Sequence, residues 1–283
     1  VTHTYGPTIA KRRLSRRLYE LRLANGYTAN QVCDKLNWGR GKVGRFEANI
    51  WKRPDLSDVR DLLRIYRVSE DEREELQELA MLARTRAWWR EFSDIFGESE
   101  YPGWEADAFQ VQVYMPLVLP GLLQVPAYME AQMGVGSQPP AWRARASEAR
   151  LRRQEILGRS GDTAVRMVAV ITEASLLYRW GTQAERRGQV AHLVEMSLRP
   201  NFDLRVLRFA DGPHPGMCGP ITVFDFPGDE PSVVCLETDF EIQEVSDKKD
   251  IKAYREIFCR ARDAALDPAA TRAYLEQLTE RLE

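Results

Sequence analysis

The sequence is poor in the residues that build metal centres and disulfide frameworks. It has three histidines (His3, His192, His214) and four cysteines (Cys33, Cys218, Cys235, Cys259), with no Cys-x-x-Cys spacing anywhere. The usual structural zinc patterns need paired ligands at short spacings, so neither a metal nor a cofactor is expected, and the thiols read as buried and reduced. No run of about 18 apolar residues occurs, which excludes a conventional membrane-spanning helix. The first residues, Val1 to Tyr5, lack the apolar core of a secretion signal, so a cytoplasmic location is expected. Repeats and low-complexity tracts are missing as well.

Net charge is also nearly absent, but the average hides a contrast. Residues 1–53 hold twelve basic and three acidic side chains, a net of +9, which leaves −11 for the remainder of a chain whose total is −2. A basic module on an acidic body suits a polyanion at one end of the chain; a solvated basic helix is the competing reading of the charge alone. The length suits two domains, read as 1–87 and 88–283.

Ile9 to Asn25 reads as a helix with Leu14, Leu18 and Leu21 at helical spacing, stopped by Gly26. Thr28 can cap a second helix that turns Val32, Cys33 and Leu36 inward. Asn37 tolerates the left-handed conformation and opens the turn Asn37-Trp38-Gly39. A third short helix, Arg40 to Glu47, buries Val43 and Phe46 and leaves Arg40, Lys42 and Arg45 outside. A fourth helix after Pro54-Asp55 carries Val59, Leu62, Leu63 and Tyr66. A capping box of Ser69 and Glu72 then begins a fifth.

Helix, sharp turn and outward basic helix together form the pattern of a helix-turn-helix, whose outer helix enters the major groove of double-stranded DNA. Arginine there can contact guanine bidentately, and flanking cations hold phosphates. The candidate DNA-binding residues are therefore Thr28, Arg40, Lys42, Arg45, Lys52, Arg53, Arg13 and Arg17. Gly39, Gly41 and Gly44 weaken the outer helix, each internal glycine costing about 1 kcal/mol against alanine. Either the backbone approaches DNA closely there, or sequence reading is reduced and phosphate affinity kept.

Beyond Trp88-Trp89, Trp104 to Val113 reads as helical and Pro116 to Pro126 as a buried irregular segment. A charged amphipathic helix covers 141–157. Strands are expected over 163–171 and near 202–208, 220–226, 232–237 and 240–245, with helices near 173–180, 184–198, 248–266 and 268–282. The fold class expected is a mainly α N-terminal helix-turn-helix domain followed by an α+β domain with a small, antiparallel sheet.

The C-terminal part shows no nucleophile signature. His214 and Cys218, near Asp211 and Asp225, can be imagined as a base and a nucleophile, but a turn histidine is the simpler reading. Glu105, Glu173, Glu237 and Asp239 have no spacing that demands convergence. No catalytic residue is assigned. Trp104, Tyr114, Leu119, Leu123, Tyr128 and His214 can line an apolar ligand or partner pocket, and the aromatic-rich stretch among them can equally be core or a dimer seam.

The order of motifs over about residues 8–282 resembles the two-domain regulators of filamentous actinobacteria, the WhiJ-like or antitoxin-like group. The carrying stretches are Leu21-Arg-Leu-Ala-Asn-Gly-Tyr-Thr28, Leu36-Asn-Trp38 and Lys42-Val-Gly-Arg-Phe-Glu47. Farther on they are Trp88-Trp89, Glu105, Val118-Leu-Pro-Gly-Leu-Leu-Gln124, His214-Pro-Gly216, Gly219-Pro220, Tyr254-Arg255 and Phe258. The resemblance implies a phage-repressor-type (XRE family) DNA-binding domain in which Arg22 and Glu47 form an ion pair. It also implies a homodimer, a small partner protein encoded nearby, and genes of development or specialised metabolism. The chain departs at Ala29, where glutamine is usual, and at Gly39, Gly41 and Gly44, where polar side chains are usual. The alternative function is an enzyme or small-molecule sensor recruited from such a regulator, with reduced DNA binding.

Overall fold

A computed structural model describes residues 6–51, 53–217, 219–238 and 241–282. Lys52, a candidate phosphate contact, Cys218, a candidate nucleophile, and the acid Asp239 lie outside the described residues. The chain divides into two compact units, one ending at Arg90 and one beginning at Glu91.

The N-terminal unit is built of α1 (Pro7–Ala24), α2 (Ala29–Leu36), α3 (Lys42–Glu47), α4 (Leu56–Tyr66) and α5 (Glu70–Ala83). Leu14, Leu18 and Leu21 of α1 meet Val32 and Cys33 of α2, Val43 and Phe46 of α3, and Leu62, Leu63 and Leu76 of the last two helices in one core. The helix ends follow local chemistry. Gly26 takes φ +70 after α1, Asn37 takes φ 53 after α2, and Asp55 caps α4 by accepting from the Ser57 amide. At α5 only half of the expected capping box forms: Ser69 accepts from the Glu72 amide, while the Glu72 carboxylate accepts from Arg17 Nε at 2.7 Å. An ion pair to α1 replaces the reciprocal bond to the cap backbone.

The C-terminal unit begins with α6 (Ser93–Phe96) and α7 (Tyr101–Asp107), followed by β1 (Gln110–Met115), α8 (Pro126–Gly134) and α9 (Pro140–Gln154). Then come β2 (Arg166–Thr172), α10 (Glu173–Leu177), α11 (Gln183–Ser197) and β3 (Phe202–Leu207). The unit ends with β4 (Ile221–Asp225), β5 (Val233–Glu237), β6 (Ile242–Val245), α12 (Lys248–Ala264) and α13 (Pro268–Arg281).

The sheet is larger than the small antiparallel one expected, and mixed. The sheet has six strands in the order β3-β2-β1-β4-β5-β6, with β1, β2 and β3 parallel and β4, β5 and β6 joined antiparallel. The difference comes from β1. The helix expected over 104–113 ends at Asp107, and the alternating Gln110-Val-Gln-Val-Tyr-Met115 that follows is extended. With β1 present, the helices between β1 and β2 and between β2 and β3 become the crossovers that parallel strands require. Burial of β2 from Met167 through Thr172 fits a strand covered on both faces.

The alternation of β1 decides what each face of the sheet meets. Tyr114 joins Val170, Val223 and Val234 in a core closed by Ile251, Phe258 and Ala261 of α12. Gln112, pointing the same way, shares Asp225 Oδ2 with Gln110, and Arg255 of α12 donates to both oxygens of that carboxylate. Val111, Val113 and Met115 point to the opposite face, where Tyr101 of α7 packs edge-on against Phe224.

Candidate nucleic-acid interface

Thr28 begins α2 with a complete capping box. Its hydroxyl accepts from the Gln31 amide, and the Gln31 side chain accepts from the Thr28 amide at 2.8 Å. Asn37 then reverses the chain, and Gly41 at φ +84 starts α3 in a conformation that a side chain would strain. The third helix therefore starts at Lys42, not at Arg40 as expected, because the left-handed Gly41 cannot belong to a right-handed helix.

α3 is six residues long, too short to persist alone, and its place is fixed from behind. Val43 and Phe46 are buried, and Trp51 Nε1 donates to the Phe46 carbonyl at 3.1 Å and to Ser15 Oγ of α1 at 3.0 Å. The strongest tie is between α1 and the last residue of α3. Arg22 Nε and Nη2 donate to the two Glu47 oxygens at 2.6 and 2.9 Å, and Nη1 donates to the Tyr27 carbonyl at 2.7 Å. Both side chains are about nine-tenths buried, at 10% and 9% exposure. The hydrogen bonds to Glu47 hold the Arg22 guanidinium above its ordinary value. Arg22 thus serves the scaffold and is not presented to a ligand.

The candidate cations divide by geometry. Arg40, in the turn, and Arg45, on α3, are exposed, as is Arg53, and none of the three is engaged in an ion pair among the described residues. Lys42 is drawn back: its Nζ lies 2.7 Å from Asp58 Oδ1 of α4 and 4.1 Å from the Trp38 ring centre. Arg17 is shared between Glu72 and Glu20 of its own unit. Arg13 is partly buried and engaged within the protein, and Thr28 is exposed at the start of α2. Side chains added at Gly39 or Gly44 would meet open space, so these glycines answer no internal packing demand.

A helix-turn-helix domain model matches residues 13–76, the segment that holds this α2–turn–α3 arrangement. The model of a domain of unknown function, DUF5753, matches residues 99–277. The chain belongs to the DUF5753 family. No curated protein and no solved structure matches it. The helix-turn-helix domain of this DUF5753 protein supports a DNA-binding regulator, and no helix among the described residues is long and apolar enough to cross a membrane.

The six residues read as a pocket in the DUF5753 unit are not gathered around one space. Tyr114 faces α12, with its hydroxyl 2.8 Å from His214 Nε2, while Trp104 lies on the other face and donates to Glu244 at 2.9 Å. Leu123 is fully buried, and Tyr128 packs edge-on against Trp180 while accepting from the Leu119 amide. Only Leu119 lines the large cleft of the unit. The imagined acids around His214 are spent elsewhere, Asp211 on Arg208 and Asp225 on Arg255. Glu105 pairs with Arg153 and Glu173 accepts from Tyr274, so these two acids serve separate partners and do not converge on one site. Gly216, beside His214, does carry a geometric demand: at φ +89, a Cβ would stand 3.2 Å from Tyr114 Cε1.

Proposed function

We propose that the protein is a transcription regulator whose DNA-binding domain, residues 1–87, lays α3 and the turn before it in the major groove. Arg45 and Arg40 meet base edges, while Thr28, Arg53 and Arg13 hold phosphates. The supporting observation is that exposed Arg45 on α3 and exposed Arg40 in the turn before it flank a helix whose inner side and C-terminal end are fixed by Phe46 and the Arg22–Glu47 pair. Groove recognition needs that combination of a rigid support and free guanidinium groups. Lys42 and Arg17 belong to the scaffold in this reading, since a phosphate would have to displace Asp58 or Glu72 from them. Lys52 is kept as a phosphate contact from its place in the sequence alone.

Residues 88–283 form the unit that binds a ligand or a small partner protein and joins two copies into a homodimer. The resemblance to actinobacterial antitoxin-like regulators of the XRE type supports the partner and the dimer, as well as target genes in development or specialised metabolism, and a role on DNA supports a cytoplasmic setting. A cleft of about 1000 Å³ in this unit supports the ligand, and it also favours the second reading, a sensor or enzyme recruited from a regulator.

The deciding experiment is selection of bound genomic DNA, followed by shift assays over a salt series. Arg45→Ala and Arg40→Ala each weaken binding to the selected site by about 1–3 kcal/mol and relax its preference at one base pair. Arg53→Ala weakens all sequences alike and lowers the salt slope by about 1. Equal affinity of both base-reading variants and the parent protein for the selected site removes α3 from the interface.

A further inference from the structure

The large cleft of the C-terminal unit lies on the sheet face opposite α12. Met115 at the end of β1, Glu237 at the end of β5, and Ile242 and Glu244 of β6 form one side. The other side is α9, where Trp142, Ala146, Arg150 and Arg153 recur at helical spacing along one stripe. The volume, about 1000 Å³, is that of a small-molecule site and far exceeds what a single ion needs.

The two arginines on this stripe are treated differently by the protein. Arg153 donates through Nε and Nη2 to both oxygens of Glu105 at 2.8 Å, and Glu105 is 2% exposed, so this charge is neutralised inside the unit. Arg150 has no carboxylate within ion-pair distance among the described residues. Its Nη1 donates to the neutral side-chain oxygens of Gln124 at 2.8 Å and Gln132 at 2.9 Å, while Nε and Nη2 reach no described acceptor. Burial, helped by the like charge of Arg153, pulls the Arg150 guanidinium down to about 10, which still leaves it charged at neutral pH. A guanidinium held in place by two carboxamides, partly desolvated and without a counter-ion, is a prepared receptor for a carboxylate.

The rim carries the opposite sign. Glu237 and Glu241 line the mouth, and neither forms an ion pair among the described residues. Glu237 acts electrostatically on Arg150 without bonding to it. A plain anion would be repelled at this rim, whereas an ammonium group would be attracted there. Leu119, Trp142 and Met115 supply apolar and aromatic wall between the two charged regions.

We propose that this cleft binds a small zwitterion of about dipeptide size, with its carboxylate at Arg150, its apolar body along Trp142 and Leu119, and its ammonium group at Glu237 and Glu241. The assignment rests on the reading of the C-terminal unit as a binding unit, and it requires nothing of DNA recognition.

The test uses the full chain and three forms of one probe, phenylalanyl-phenylalanine: free, N-acetylated and C-amidated. Calorimetry is expected to show saturable millimolar or tighter binding of the free dipeptide and a loss of about tenfold or more on amidation, the value of a charge-assisted hydrogen-bonded pair. The loss on acetylation should be smaller. Arg150→Gln makes the free and amidated forms equal. Glu237→Gln, a change at an exposed rim position, weakens the free dipeptide and leaves the acetylated form unchanged. The second variant tests the pose without touching the Gln124–Gln132–Arg150 network. Lack of saturable binding by all three forms, or unchanged preference for the free carboxylate in Arg150→Gln, overturns the proposal. DNA shift assays on the same preparations separate the two readings: loss of DNA binding with dipeptide binding retained refutes the regulator, and the converse refutes the cleft.

Discussion

Replacing Glu47 by alanine is expected to unfold much of the N-terminal unit at temperatures the parent protein tolerates. The carboxylate accepts two short hydrogen bonds from Arg22, and removing it strands a guanidinium that is 10% exposed between α1 and α3. Breaking a buried pair from one side costs roughly 3–5 kcal/mol, because the remaining charge stays desolvated. For a unit of this size each kcal/mol lowers the melting temperature by roughly 4–8 °C, so the shift should be at least about 12 °C. Differential scanning calorimetry of the full chain reads it as a lower first transition, with the C-terminal unit's transition as the internal reference. Part of the Arg22 charge retains the Tyr27 carbonyl as an acceptor, which sets the loss toward the lower end of the range. The double variant Arg22→Met with Glu47→Leu should recover most of the stability, since an apolar pair of similar volume removes the desolvated charges altogether. A shift below about 4 °C for Glu47→Ala would refute the reasoning, since it would mean that the pair is hydrated like a surface ion pair worth at most about 1 kcal/mol.

Gly44→Ala should stabilise the same unit by about 0.5–1 kcal/mol, because the added methyl group enters open space in a helical glycine position; a lower melting temperature would show that the site is not helical and free. If that variant also loses affinity for the selected DNA site, the backbone approaches the groove closely; unchanged or improved affinity indicates that the glycine has only shed a contact. Burial pushes the Asp225 carboxyl up, but Arg255 and Ser232 outweigh it and hold it below its ordinary value. Its contribution is therefore complete above the unfolded carboxylate range and is lost as pH falls through the depressed native value. Urea titrations of Asp225→Asn should show a flatter acid limb and a loss of about 2–3 kcal/mol at neutral pH, and parallel pH profiles for variant and parent would exclude the pair as a source of acid sensitivity.

Local chemistry was legible where it is written in neighbouring residues. The leucine stripe of α1, the Thr28 cap and the left-handed Asn37 each follow from a side chain and its near sequence, and all three recur in the structure. The Arg22–Glu47 tie, 25 positions apart, came through family resemblance and not through spacing. Pairings across elements stayed hidden: nothing near Lys42 announces Asp58, and nothing near Glu72 announces that Arg17 will claim its carboxylate. β1 was missed because a short helix ending at Asp107 runs into the strand with two residues between them, so the aromatic and acidic positions of the helix masked the two-residue alternation that follows. Losing that strand also concealed the parallel half of the sheet. Arg150 carried no signal of its own, since α9 holds five arginines and only the fold distinguishes the one without a carboxylate.

The seam strand β1 joins two halves of the sheet that must assemble on different schedules. β4, β5 and β6 follow one another through short reversals and can zip together from local encounters. The pairing of β1 with β2 must wait until the whole stretch from Met115 to Arg166, with α8 and α9 inside it, has been drawn into a loop. Until that closure happens, β1 offers a bare edge on the side that β2 will cover, and Tyr114 and Met115 on either face of that strand lack part of their final shelter. During synthesis the vulnerable interval lies in this unit rather than in the helical one that precedes it, so conditions that slow crossover formation should send the chain toward aggregation through that edge.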